Sequence, residues 1–235
     1  MEIVYTYKSP TMKIYSKEID QKDWISRSIE SARKVGYSPH LYTNDLKFAE
    51  GLNLDNVTLV VDTHPEVWDT LKPLVLSMRT DTEFFISDND VIYKKPIPFD
   101  DTVDFFYDGI ETENWEWVYS KSIRYFEKHK IFNSNPLWDY RRKNILNLGI
   151  LKFNNLYLKK LYVKEWYALY ESLVPHFKNL NPVSTSAIIN QYSITLLLNR
   201  HNYKKRHFTY NGWPGDNEYY NHFPGYSKVK STQLI

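Results

Sequence analysis

Through residues 1–93, short runs of β-branched and aromatic residues alternate with segments of helical period, and no other feature constrains the fold so strongly. Glu2 to Tyr7 reads as a strand. Across Lys17 to Lys34 the residues Trp24, Ile25, Ser28, Ile29, Ala32 and Val35 recur at three-and-four spacing, with Gly36 as the stop, which predicts an amphipathic helix. His40 to Thr43 and Val57 to Val61 read as further strands, Pro65 to Arg79 as a helix, and Glu83 to Ser87 as a buried strand that runs into Asp88-Asn89-Asp90. Strands joined by crossover helices do not form hairpins, so the prediction is an α/β fold with a mostly parallel central sheet flanked by helices.

After residue 93 the pattern is less regular. Val103 to Tyr107 predicts a strand, Ser120 to Ile131 a helix, and Ile145 to Phe153 an apolar run holding one glycine. Tyr157 to Leu173 carries Leu158, Leu161, Tyr162, Trp166 and Leu169 at helical spacing, and Ser184 to Arg200 follows as a helix opened by serine and threonine. Asn211 to Lys230, with its glycines, prolines and aromatics, reads as a structured loop. No repeat, low-complexity tract or linker divides the chain, so residues 1–235 are expected to form a single domain.

Composition then removes several chemistries. A chain without cysteine has no disulfide framework, thiolate metal site or cysteine nucleophile. Its 30 Lys and Arg against 28 Asp and Glu lack the basic excess of dedicated nucleic-acid binders, so nucleic acid is not the expected partner. The start, MEIVYTYKSP, has no basic-then-apolar signal, and no apolar run approaches the roughly 18 residues of a transmembrane segment. A cytoplasmic location is expected.

Two elements carry chemistry. Asp88-Asn89-Asp90 follows a buried strand, and in open α/β sheets ligands bind beyond the carboxyl ends of strands. Carboxylates there suit Mn²⁺ or Mg²⁺, hard cations that share their remaining positions with phosphate. With 15 Asp in the chain, about one Asp-x-Asp is expected by chance, so its position gives the motif its weight. The second element, Asn221-His222-Phe223-Pro224-Gly225-Tyr226-Ser227-Lys228, combines a metal-ligating imidazole, a glycine that admits backbone close to phosphate, and a lysine point charge.

Together these elements resemble the GT-A glycosyltransferases, most closely family 8. The resemblance implies that Asp88, Asp90 and His222 bind Mn²⁺ or Mg²⁺, which holds the diphosphate of a nucleotide sugar, with a UDP-sugar as first choice. Gly225 and Lys228 would close over that diphosphate, and Lys72, sixteen residues before Asp88, matches a basic residue of the family. Asn147-Leu148-Gly149 is similar to the family's Asn-Ser-Gly strand start, which makes Asn147 a catalytic candidate that orients the donor sugar. Tyr5, Thr6, Tyr7 and Asn89 would contact the donor, with Tyr5-Thr6-Tyr7 at the end of the first strand facing its base. Residues 1–93 would then be a nucleotide-binding half, and 94–235 an acceptor half with a C-terminal closing loop. The family's late Asp-Gln pair is absent, since Thr185 and Ser186 stand there, and Asp216 is the acid chosen for that role. The implied reaction transfers a sugar, with retention, to a hydroxyl of a glycan or other acceptor. Two other readings stay open, a sugar-nucleotide nucleotidyltransferase and a non-catalytic carbohydrate-binding protein on the same scaffold. The first lacks its usual glycine-rich basic loop, because Tyr5-Thr6-Tyr7-Lys8-Ser9-Pro10 follows the first strand.

Overall fold

The computed structural model describes residues 1–9, 21–61, 70–111, 116–131, 145–180, 182–208 and 217–223. In chain order the strands are β1 (Glu2–Tyr7), β2 (Ser38–Thr43), β3 (Asn56–Leu59), β4 (Phe84–Ser87), β5 (Val91–Tyr93), β6 (Phe105–Glu111), β7 (Ile145–Phe153), β8 (Lys205–His207) and β9 (Tyr220–His222). The helices are α1 (Gln21–Lys34), α2 (Leu46–Ala49), α3 (Leu71–Met78), α4 (Glu116–Lys128), α5 (Leu156–Leu173), α6 (Pro182–Ala187) and α7 (Ser193–His201). Seven strands form one sheet in the order β3-β2-β1-β4-β7-β6-β8, and β5 pairs with β9 in a separate ribbon. Within the large sheet only β7 runs against its neighbours, β4 and β6; every other pairing is parallel.

The sheet's two faces follow from strand alternation. On β1 and β4, Val4, Phe84 and Ile86 point to one core and Ile3, Tyr5 and Phe85 to the other. The first core is closed by Leu71 and Val75 of α3, Phe126 of α4, Leu158, Tyr162 and Trp166 of α5, and Ile194 and Leu197 of α7. The second is closed by Ile25, Ile29 and Ala32 of α1 and by Val91, Tyr93 and Tyr220 of the ribbon. β7 is buried along all nine residues because it lies between β4 and β6, which accounts for its lack of polar alternation. Its one lysine, Lys152, reaches the Thr82 carbonyl at 3.2 Å.

The expected strands and helices are found with shifts of a few residues, and Gly36 ends α1 at φ +88°. Lys17 to Asp20 and the Pro65 helix start lie outside the described residues. Two expectations need correction. The Asn211 to Lys230 loop contains a strand, β9, whose partner β5 lies far back in the chain. The helix expected over Ser184 to Arg200 is α6 and α7 joined by a π-helical turn, Ile188–Tyr192. Side-chain hydroxyls compete for its carbonyls: Ser193 Oγ donates to the carbonyls of Ile189 and Asn190, and Thr195 Oγ1 to that of Gln191. No helix among the described residues is long and apolar enough to cross a membrane.

At the amino end of the sheet, Glu2 accepts a bidentate pair from Arg79 at 2.9 and 2.8 Å and meets His40 Nδ1 at 2.7 Å. Burial pushes the Glu2 carboxyl up, but the Arg79 and His40 hydrogen bonds outweigh it and hold it below the ordinary 4.5. A depressed folded value means stability present above the unfolded pKa and lost as pH falls through the folded one. Glu2→Gln is therefore expected to cost about 2 kcal/mol at neutral pH, as for other hydrogen bonds to charged groups. Urea denaturation at stepped pH should show the difference from wild type shrinking below the ordinary glutamate range; a gap independent of pH would contradict the assignment.

Candidate metal centre

The site begins where β4 ends. The Asp88 N–H donates to the Gly149 carbonyl at 2.7 Å, so the end of β4 is fixed against β7. The chain then turns through Asp88-Asn89-Asp90 into β5, where Val91 pairs with His222 of β9 and Phe223 N–H donates to the Asp90 carbonyl. This ribbon brings an imidazole from residue 222 back to the acidic turn. One ligand atom from each of Asp88, Asp90 and His222 lies within 4.8 Å of the others. His222 Nε2 is 3.3 Å from Asp90 Oδ1 and 3.7 Å from Asp88 Oδ2. Asp90 and His222 are buried, whereas the Asp88 side chain is 34% exposed, which leaves the group open to a ligand on that side.

His222 is held on three sides. Its Nδ1 lies 2.6 Å from Asp108 Oδ2, and because a carboxylate only accepts, Nδ1 carries the proton and Nε2 faces the acidic pair. Burial pulls the imidazole pKa down, but the Asp108 and Asp90 carboxylates overcome this and push it up to about 10. Its ring face lies on Gly149, where a Cβ would stand 2.2 Å from Cε1 and 2.6 Å from Nδ1. The Tyr220 hydroxyl donates to the other oxygen, Asp108 Oδ1, at 2.6 Å. Burial and the Asp108 charge both keep that phenol protonated.

Lys72 of α3 is buried, forms an ion pair with Asp88 Oδ1, and donates to the Leu148 carbonyl at 3.3 Å. Asp88, Asp90, Asp108, Lys72 and His222 together keep an excess of negative charge even when the imidazole is protonated. Two carboxylates and an imidazole, with the imidazole's second nitrogen held by a further carboxylate, form a donor set that fits a divalent cation such as Mn²⁺ or Mg²⁺.

The structure thus brings Asp88, Asp90, His222 and Lys72 together. Asn147 is buried next to them on β7, and its Oδ1 accepts from Gly149 N–H at 2.7 Å. Asn89 Nδ2 donates to the Thr6 carbonyl at 3.2 Å, tying the acidic turn to the end of β1. Tyr7 stacks on Phe48 with ring centroids 3.3 Å apart. Tyr5 is different. It shares the inward face with Ile3, is wholly buried, and donates its hydroxyl to Ser28 Oγ, so it serves the core and faces no base. Tyr219 and Tyr220 likewise pack on the second core, and Phe223 lies against Trp24. Glu218 is exposed and paired with Lys95. Asp216, Gly225 and Lys228 lie outside the described residues.

Asp108 and the packing role of Gly149 were not legible as site features. An acid inside the otherwise uncharged run Phe105-Phe106-Tyr107-Asp108-Gly109-Ile110 was the available signal. It sits where β6 and β7 lose register: Tyr107 pairs with Leu151 but Gly109 with Asn147, so Asp108 alone spans Leu148, Gly149 and Ile150.

No family model and no curated protein matches the sequence. Among solved structures, the galactosyltransferase LgtC, in complex with donor and acceptor sugar analogs, superposes at a TM-score of 0.50 with 10% identity, over 89% of this chain and 73% of its own. The chain has the GT-A fold. Its likeness to family 8 is consistent with that match. Mouse xyloside xylosyltransferase 1 gives 0.48 at 10% identity over 89% of this chain and 85% of its own. The glycosyltransferase GlyE of Streptococcus pneumoniae gives 0.43 at 10% over 87% and 45%.

Gly149→Ala tests the packing of the ring. The added methyl has to displace an imidazole already fixed by Asp108, so a loss of about 1–3 kcal/mol is expected, together with weaker Mn²⁺ binding. Urea melts and Mn²⁺ titration followed by electron paramagnetic resonance would measure both; wild-type values in both would contradict the contact.

Proposed function

We propose that this chain is a glycosyltransferase that moves a sugar, with retention, from a nucleotide diphosphate sugar to a hydroxyl of a glycan or similar acceptor. UDP-sugars are the first donors to test. The observation that carries this reading is the Asp88-Asp90-His222 group at the carboxyl end of β4 in a GT-A sheet, where nucleotide ligands bind. These three residues would hold Mn²⁺ or Mg²⁺, which when bound neutralises charge on the departing diphosphate.

The chain's own groups supply the rest. Lys72, fixed by Asp88 and the Leu148 carbonyl, places a positive charge at the diphosphate without needing to reorganise. The stacked Tyr7 and Phe48 offer an aromatic face to the base at the carboxyl end of β1. Asn147 orients the donor sugar and Gly225 and Lys228 cover the diphosphate, as the family resemblance implies, and Asp216 is the acid we place by the reacting carbon in the absence of the family's Asp-Gln pair. In retention the bond from the sugar carbon to the phosphate oxygen breaks, the bond to the acceptor oxygen forms on the same face, and the phosphate oxygen takes the acceptor proton. No protein base is needed for that proton.

The test is a panel of nucleotide sugars with Mn²⁺, scored by release of nucleoside diphosphate and by thermal stabilisation. Asp88→Asn and Asp90→Asn are expected to lose turnover by about a hundredfold or more, with ligand-free melting close to wild type, and chelation should abolish activity. If no nucleotide sugar is turned over or stabilises the protein in the presence of Mn²⁺, the reading is overturned.

A further inference from the structure

Asp108 is remote in sequence from both halves of the metal group and is buried with its two oxygens committed to one strand: Oδ1 to the Tyr220 hydroxyl and Oδ2 to His222 Nδ1, each at 2.6 Å. Tyr220 and His222 are two residues apart on β9 and so project to the same side of the ribbon. A single carboxylate of the main sheet therefore grips the ribbon that delivers the imidazole. Its placement depends on the break in register between β6 and β7, which sets Asp108 opposite Gly149, the residue on which the His222 ring lies.

We propose that Asp108 is a positioning residue for the metal centre: it fixes the orientation and tautomer of His222 so that Nε2 is presented to the cation. The proposal rests on the reading of Asp88, Asp90 and His222 as a metal group. The chemistry is that of a ligating histidine whose second nitrogen donates to a carboxylate, an arrangement whose loss weakens metal binding by about 10- to 100-fold. Two features separate it from a bond that merely holds strands together. The bond is made to the imidazole's second nitrogen and not to backbone, and the ring takes the space that a side chain at Gly149 would fill.

The experiment uses the full chain and Mn²⁺ alone, with three variants. Asp108→Asn keeps the volume and an acceptor for Nδ1–H but removes the charge. Tyr220→Phe removes the neighbouring hydrogen bond to the same carboxylate and leaves the His222 contact in place. His222→Ala reports the metal group itself. Free Mn²⁺ would be counted by electron paramagnetic resonance, and bound Mn²⁺ examined for nitrogen coupling by electron spin echo modulation. Asp108→Asn is expected to weaken Mn²⁺ binding about 10- to 100-fold and to diminish the imidazole nitrogen signal. Tyr220→Phe should melt lower yet bind Mn²⁺ within about threefold of wild type. If wild type binds Mn²⁺ and His222→Ala does not, but Asp108→Asn binds as wild type, the positioning role is overturned and the metal group stands. Loss of affinity in step with loss of melting temperature across Asp108→Asn and Tyr220→Phe would likewise overturn it, as a purely structural bond. If wild type fails to bind Mn²⁺, the metal reading falls and this inference with it.

Discussion

A buried imidazole must be packed on its face and satisfied at its edge, and His222 has the first from Gly149 and the second from Asp108. Neither partner is near it in sequence. Gly149 lies in the central strand β7 and Asp108 in β6, and both are available only because these strands slip register between Tyr107 and Gly109. A regular ladder would pair one residue of β7 with each residue of β6 and leave no stretch for one acid to span. The irregularity thus sets one acid of β6 opposite the stretch of β7 that meets the His222 ring. The metal group follows, because Val91 pairs with His222 and the acidic turn directly precedes Val91.

Concentrating charge here carries a cost in desolvation that only close pairing offsets. Asp88 has the Lys72 ammonium, Asp90 the imidazole edge, and Asp108 both the imidazole and a phenol. Each carboxylate thus meets a donor or a positive charge within the fold, and Asp88, the most exposed of the three, is the one that opens outward. This arrangement gives the site a graded polarity: a closed interior that fixes the imidazole, and an open side where a ligand can enter.

Much of this was legible in the sequence, for identifiable reasons. The parallel half was readable because Trp24, Ile25, Ile29 and Ala32 keep helical period and Phe84 to Ser87 form an unbroken buried run. Asp88, Asp90 and His222 were readable because metal chemistry restricts residue type. β9 was not, since a three-residue strand among glycines and prolines has no period to detect, and its partner lies more than a hundred residues away. Tyr5 shows the limit of assigning contacts by position along a strand. It lies two residues before Tyr7 on the same face, but the depth of the core, not the strand, decides that Tyr5 bonds Ser28 while Tyr7 reaches Phe48.

The late helix shows what fold likeness leaves open, because fold does not fix chemistry. Thr185 and Ser186, which the sequence resemblance sets against the Asp-Gln pair of family 8, are 0% and 1% exposed. The Thr185 oxygen has no hydrogen-bond partner among the described residues. Just beyond them the helix widens into its π turn. In that turn Asn190 Oδ1 accepts from Trp166 Nε1 at 2.5 Å, and in α7 Thr195 Oγ1 accepts from the Leu146 N–H at 3.0 Å. That last bond fixes the residue directly before Asn147. The late helix is in this way built into the support of β7.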